Sequence, residues 1–171
     1  MLQFNDTPWL RRQWRLTDLK YLGSSNSYSM AALKTMHLNS QISPTSDPNA
    51  TEGQMDGIQH TDAVTDEVRQ GVDNTTLFSL GIAMLEIAYW TPIEQKMTAM
   101  DENNCVLAAR RLMCDRGAPL GPEYQRIAAK CLRCDFGFGP SLNSNGLQSA
   151  IYNDVVLQLD GMIKRLENLH V

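Results

Sequence analysis

Between Leu77 and Trp90 the chain reads LFSLGIAMLEIAYW, and only Ser79 and Glu86 interrupt the apolar run. A helix built from it carries hydrophobic side chains on every face, and such a helix belongs inside a protein. At about 1.5 Å per residue it reaches roughly 21 Å, short of the roughly 30 Å hydrocarbon core of a bilayer. The run therefore predicts a buried scaffold helix and no membrane span. Asp73 or Asn74 can cap its free amides, and it must finish before Pro92, because the residue preceding a proline is pushed out of helical geometry. Gly81, in its middle, costs about 1 kcal/mol of helix propensity relative to Ala, and the expected gain is close approach of a neighbouring backbone.

The rest of the chain is expected to pack around that helix as a single domain over residues 1–171. With 171 residues, 43% hydrophobic and 20% charged, there is enough apolar material for one core. A net charge of -4 and a pI near 5.3 oppose a phosphate-neutralising surface, so nucleic acid is not an expected partner. The first residues, MLQFNDTPWLRRQW, turn polar too quickly for a signal peptide, which leads to an expected cytoplasmic location.

Residues 1–22 hold Trp9 and Trp14 around a Thr7-Pro8 break, which predicts a half-buried turn with a short helix or strand docked on a larger body. From Gly23 to Gly57 the chain is dominated by Ser, Asn, Thr, Gly and Pro. That composition predicts a long polar loop, with a short strand or helix near Tyr28 to Leu38. Asn49-Ala50-Thr51 matches a glycosylation sequon, which is incidental in an intracellular protein. Ala63, Val64, Val68 and Val72 fall at helical offsets, predicting a short helix over 61–72 that leads into the central one.

Three more helices are expected. One starts with Asp101 as cap and runs through Asp115, with Gly117 as its stop. In GPEYQRIAAKCLRC, Tyr124, Ile127, Ala128, Cys131 and Leu132 recur at i, i+3, i+4, i+7 and i+8 behind Pro122 in the first turn. After a loop, DFGFGPSLNSNG, the last helix runs from about Gly146 to Leu169. Leu147, Ile151, Val155, Leu159, Met162, Leu166 and Leu169 lie along one side, with Lys164 and Arg165 near the C-terminal end. A coiled coil gives the same stripe, but about three heptads fit the last helix of a bundle better. The fold class is thus mainly α, a helical bundle with a long polar loop.

Candidate chemistry is sparse. Cys105, Cys114, Cys131 and Cys134 read as free thiols in a reducing compartment. Cys131-Leu-Arg-Cys134 has the CxxC spacing of zinc or redox sites but lacks a second ligand pair, and the better reading puts Cys131 on an apolar helix face and Cys134 at that helix's end. His37, His60 and His170 stand apart from any triad or metal pattern. Ser79 and Glu86 share a face of the central helix, where Ser79 is expected to bond a backbone carbonyl and Glu86 an Arg or a loop amide.

Taken in order, these segments resemble the C-terminal helical lobe of protein kinases. Ser79-Leu80-Gly81-Ile82-Ala83-Met84-Leu85-Glu86 is similar to the S-F-G-V-V-L-W-E of the buried kinase helix, Trp90-Thr91-Pro92 to the G-x-x-P that ends it, and YQRIAAKCLRCD to the helix carrying C-L-x-x-D-P. The combination of DTPWL, LFSLGIAMLEIA, YQRIAAKCLRCDF and a final helix is closest to a fungal family of kinase-like domains of unknown function, often joined to helical domains of the prion-inhibition or cell-death type. The resemblance does not carry catalysis with it. Phosphoryl transfer needs a Gly-rich loop, a paired lysine, a catalytic Asp with a following Asn, and a metal-binding Asp. Thr17-Asp18-Leu19-Lys20 imitates R-D-L-K, but Arg15-Leu16 precede it and Gly23 stands where the Asn belongs. Asp135-Phe136-Gly137 spells D-F-G but follows the central helix, whereas in kinases the motif precedes it. Thr76 replaces the Asp that braces the kinase catalytic loop.

The expectation is a pseudokinase-type binding or regulatory module, truncated at its N-terminus. It would have no catalytic, cofactor or metal residues and an unidentified protein partner. Self-association through the Trp9 and Trp14 region, left open by a missing lobe, is also expected. The alternative is the C-terminal part of a nucleotide-binding or active kinase-like protein.

Overall fold

The structure, a computed structural model, describes residues 14–20, 36–38, 69–115 and 117–169. It is mainly α. A two-residue strand β1 (Leu19–Lys20) pairs antiparallel with β2 (His37–Leu38), with Leu19 opposite Leu38 and Lys20 opposite His37. Among the described residues the α-helices that follow are α1 (Thr75–Tyr89), α2 (Cys105–Met113), α3 (Gly121–Arg133), α4 (Asn145–Ile151) and α5 (Leu157–Asn168).

α1 is the expected scaffold. The Asn74 side chain accepts the Leu77 amide at 2.8 Å, and Trp90 ends the helix in the left-handed region at φ 52°. Ten of its residues are buried, on all sides of the helix. α3 lies along it at Gly81, where an added Cβ would stand 3.0 Å from the Leu132 backbone nitrogen and 2.5 Å from its Cγ. The glycine's propensity cost thus buys a close helix seam. Tyr124 ties the same seam by donating its hydroxyl to the Met84 carbonyl at 3.1 Å.

The helix expected to start at Asp101 starts later. Glu102 and Asn103 both take positive φ (50° and 58°), so the helical path cannot run through them, and Asn104 caps α2 by accepting the amides of Val106 and Leu107. Asp101 instead closes a 3-10 turn, Ala99–Asp101, accepting the Thr98 amide at 2.7 Å and its hydroxyl at 3.0 Å. α2 also ends early, at Met113, and Asp115 accepts the Gly117 amide in a separate turn.

The last helix forms in two parts joined by a π segment, Tyr152–Val156. Leu147, Ile151 and Val155 are all buried and spaced by four. Four residues overshoot an α-helical turn by about 40°. The wider i→i+5 turn takes up the surplus and keeps the three facing the core.

One core joins α1, α2, α3, α4 and the π segment through Leu77, Ile82, Val106, Ile127, Cys131, Leu147 and Val155, among others. A smaller cluster sets Trp14 on Ala83, with Leu16, Leu19 and Leu80 beside it. The 3-10 turn Leu16–Asp18 and β1 are the docked turn and strand expected near the start of the chain. Trp14 is not part of an open patch, however. It is 2% exposed, because α1 itself supplies the surface that covers it. Trp9, most of the polar stretch from Gly23 to Gly57, and residues 61–68 lie outside the described residues.

Candidate functional site

Asp18, the acidic position that imitates a catalytic aspartate, has a local partner. It accepts the Arg15 amide at 2.9 Å and so caps its own 3-10 turn. The Arg15 side chain reaches across to the Cys105 sulfur at 3.5 Å, and the charges of Glu94 and Glu86 attract it there. This stretch acts as a staple, joining the β1 turn to the start of α2 and the end of α1.

Glu86 bonds a loop amide, one of the two partners expected for it. Its carboxylate accepts the Ile93 amide at 3.1 Å, which fixes the chain after Pro92 against the end of α1. Ser79 is buried on the same helix. In Asp135-Phe136-Gly137, the aromatic ring is a core side chain, 6% exposed, while Asp135 is at the surface and Gly137 turns the chain at φ 75°. The triplet serves as the end of α3 and the turn after it.

Cys131 lies on the apolar face of α3 and Cys134 at its end, as expected from the sequence. Cys131 is fully buried in the core, and burial pushes its thiol up to about 12. Cys134 is the C-cap of α3, and burial, then the nearby negative charges of Asp73 and Asp135, raise its thiol as well. Metal binding and thiol exchange use the thiolate, which both environments disfavour. Among the described residues, no group of three His, Cys, Asp or Glu side chains is placed to hold a metal ion. His37 is exposed on β2, and His60 and His170 lie outside the described residues.

The sequence reading missed the most buried polar constellation. Asp101, 2% exposed, takes three contacts from the Arg111 guanidinium: Nε at 3.0 and 3.2 Å and Nη2 at 2.7 Å. Arg111 also donates to the Lys96 carbonyl at 2.7 Å. The guanidinium, with the Thr98 amide, holds the Asp101 carboxyl well below the usual carboxylate range. The spacing Thr98-x-x-Asp101 is a capping-box signal that could have marked the turn, but nothing local points to Arg111. The pair locks the 3-10 turns Ile93–Lys96 and Ala99–Asp101 onto α2.

Two concavities are lined by described residues. One, of about 190 Å³, lies between α3 and the end of the π segment. It is lined by Lys130 and Asp154, which pair with each other at 2.7 Å, and by Glu123, which pairs with Arg165. The other, of about 320 Å³, has a floor of Val72, Phe78, Ala109, Met113 and Leu132, with Arg110, Cys114 and Arg133 around it. Its size is at the low end for ligand pockets, and its mixture of apolar floor and basic edge suits an apolar side chain with an acidic neighbour. Among the described residues, no helix is long and apolar enough to cross a membrane.

No curated protein and no solved structure matches the chain. A family model does, over residues 1–166. The chain belongs to the family it defines, the domain of unknown function DUF7580.

Proposed function

We propose that this domain is a non-catalytic, kinase-like module that works by binding another protein. The observation that carries the reading is the use of its acidic groups. Asp18, the candidate for a catalytic aspartate, is spent on the Arg15 amide, and Glu86 on the Ile93 amide. The best-buried carboxylate, Asp101, is neutralised by Arg111. Residues that an enzyme would aim into a cleft here hold turns and helix ends in place, which favours a scaffold whose function is in its surface. The likeness of α1 and α3 to kinase helices, and to the fungal kinase-like domains, gives the reading its family context.

Thermal-shift titration with ATP and magnesium tests it. The expected result is a melting temperature that does not change with nucleotide. A saturable rise, following the logarithmic dependence of ligand linkage, would overturn the reading in favour of a nucleotide-binding kinase-like protein.

A further inference from the structure

Two surface features complement each other in chemistry, although Phe78 of the second also belongs to the core, Leu132 packs against that core, and Arg110 donates to the Gln70 carbonyl at 2.6 Å. At the end of α5, Leu166 and Leu169 are 57% and 77% exposed on either side of Glu167. Elsewhere, the 320 Å³ cleft combines an apolar floor, Phe78 and Leu132 among it, with exposed Arg110 and Arg133. Neither Arg133 nor Glu167 takes part in a salt bridge among the described residues. The chemistries are complementary: two leucines flanking a carboxylate, and an apolar slot flanked by guanidinium groups.

We propose that the end of α5 in one copy docks in this cleft of a second copy. Within one chain Leu166 and Leu169 stay exposed and the tail runs away from Arg133. Lys130 of α3 pairs with Asp154, and Glu123 of α3 pairs with Arg165, so the last helix runs antiparallel to α3. Its end therefore points past the start of α3, whereas Arg133 is the last residue of α3, about 15 Å from Glu123 along the axis at 1.5 Å per residue. The tail and the Arg133 edge of the cleft thus lie at opposite ends of α3, while the Met113 edge lies beside Gln125, whose side-chain amide donates to the Met113 carbonyl at 2.7 Å. A contact between two different surfaces is heterologous, and without closure into a ring it builds open chains. The inference rests on the two surfaces alone and is independent of the kinase-like reading.

Sedimentation velocity across a concentration series tests it on the full chain, alongside the alkylation rate of Cys114, an exposed thiol in the cleft. The expected result is an average mass that climbs above 19.2 kDa without a plateau at the dimer, while Cys114 reacts more slowly as concentration rises. Arg133→Glu and Glu167→Arg should each weaken association by at least about tenfold, since like charges then face each other. Mixing the two variants should restore it, because each tail then meets a cleft of opposite charge. A wild-type chain that stays at 19.2 kDa with an unchanged Cys114 rate overturns the proposal, as does association that survives both reversals or is not restored by mixing.

Discussion

α1 and the last helix are both rich in apolar residues, yet the first is enclosed and the second is covered only along its first half. Ile82 of α1 is 1% exposed, and Ile163 of α5 is 54% exposed. α1 is walled by α3 across Gly81, by the core on its other sides, and by Trp14 over Ala83. The last helix has Leu147, Ile151 and Val155 in the core, Leu159 and Met162 at its margin, and Leu166 and Leu169 in solvent. An apolar stripe states what a helix can bury. What actually covers it depends on how many neighbours reach that far.

The contrast can be broken first at the α1–α3 seam. Gly81→Leu should cost about 3 kcal/mol or more in denaturant unfolding, since the new side chain meets Leu132 backbone as well as side chain and the two helices must part. Retained stability would mean the seam is looser than the close contact implies.

A smaller loss is expected at the end of α1. Glu86→Leu leaves the Ile93 amide without its acceptor and should cost roughly 1–3 kcal/mol, whereas Glu86→Gln, which keeps an oxygen in reach, should cost less than about 1 kcal/mol. Equal losses for the two variants would mean the bond is not what fixes this turn.

The acid limb sharpens the comparison further. Asp101 has a folded pKa depressed by Arg111 and the Thr98 amide, so the stability it contributes is complete above the unfolded value of about 3.9 and is lost as pH falls from there through the folded value. Unfolding midpoints measured from about pH 5 downwards should fall more steeply for the wild type than for Asp101→Asn, which is less stable at neutral pH. Parallel curves would remove Asp101 from the acid response.

Much of this architecture was legible in the sequence, for reasons that differ by element. α1 was readable because an apolar run of that length has only one kind of place in a globular protein, and α3 because its 3.6 periodicity begins behind a proline. The late start of α2 was not readable. Asp101 and Asn104 are both good caps, and the choice between them rests on two left-handed residues and on an arginine ten positions away. The π segment was hidden for a related reason, since a spacing of four fits an α-helix over one turn and fails only over several. The CxxC on a helix face and end, and the DFG-like triplet in the loop after that helix, are legible because spacing without further ligands or neighbours is weak chemistry. The placement of Trp14 was misjudged. A tryptophan beside charged residues resembles a surface anchor until the helix that covers it is in place.

The enclosure of α1 against the openness of α5 is tested most directly by one matched pair, Ile82→Ala and Ile163→Ala, in denaturant unfolding at a protein concentration low enough to keep the chain monomeric. The account predicts a loss of about 2–5 kcal/mol for Ile82→Ala and a change within about 0.5 kcal/mol for Ile163→Ala. Comparable losses at the two positions would contradict it.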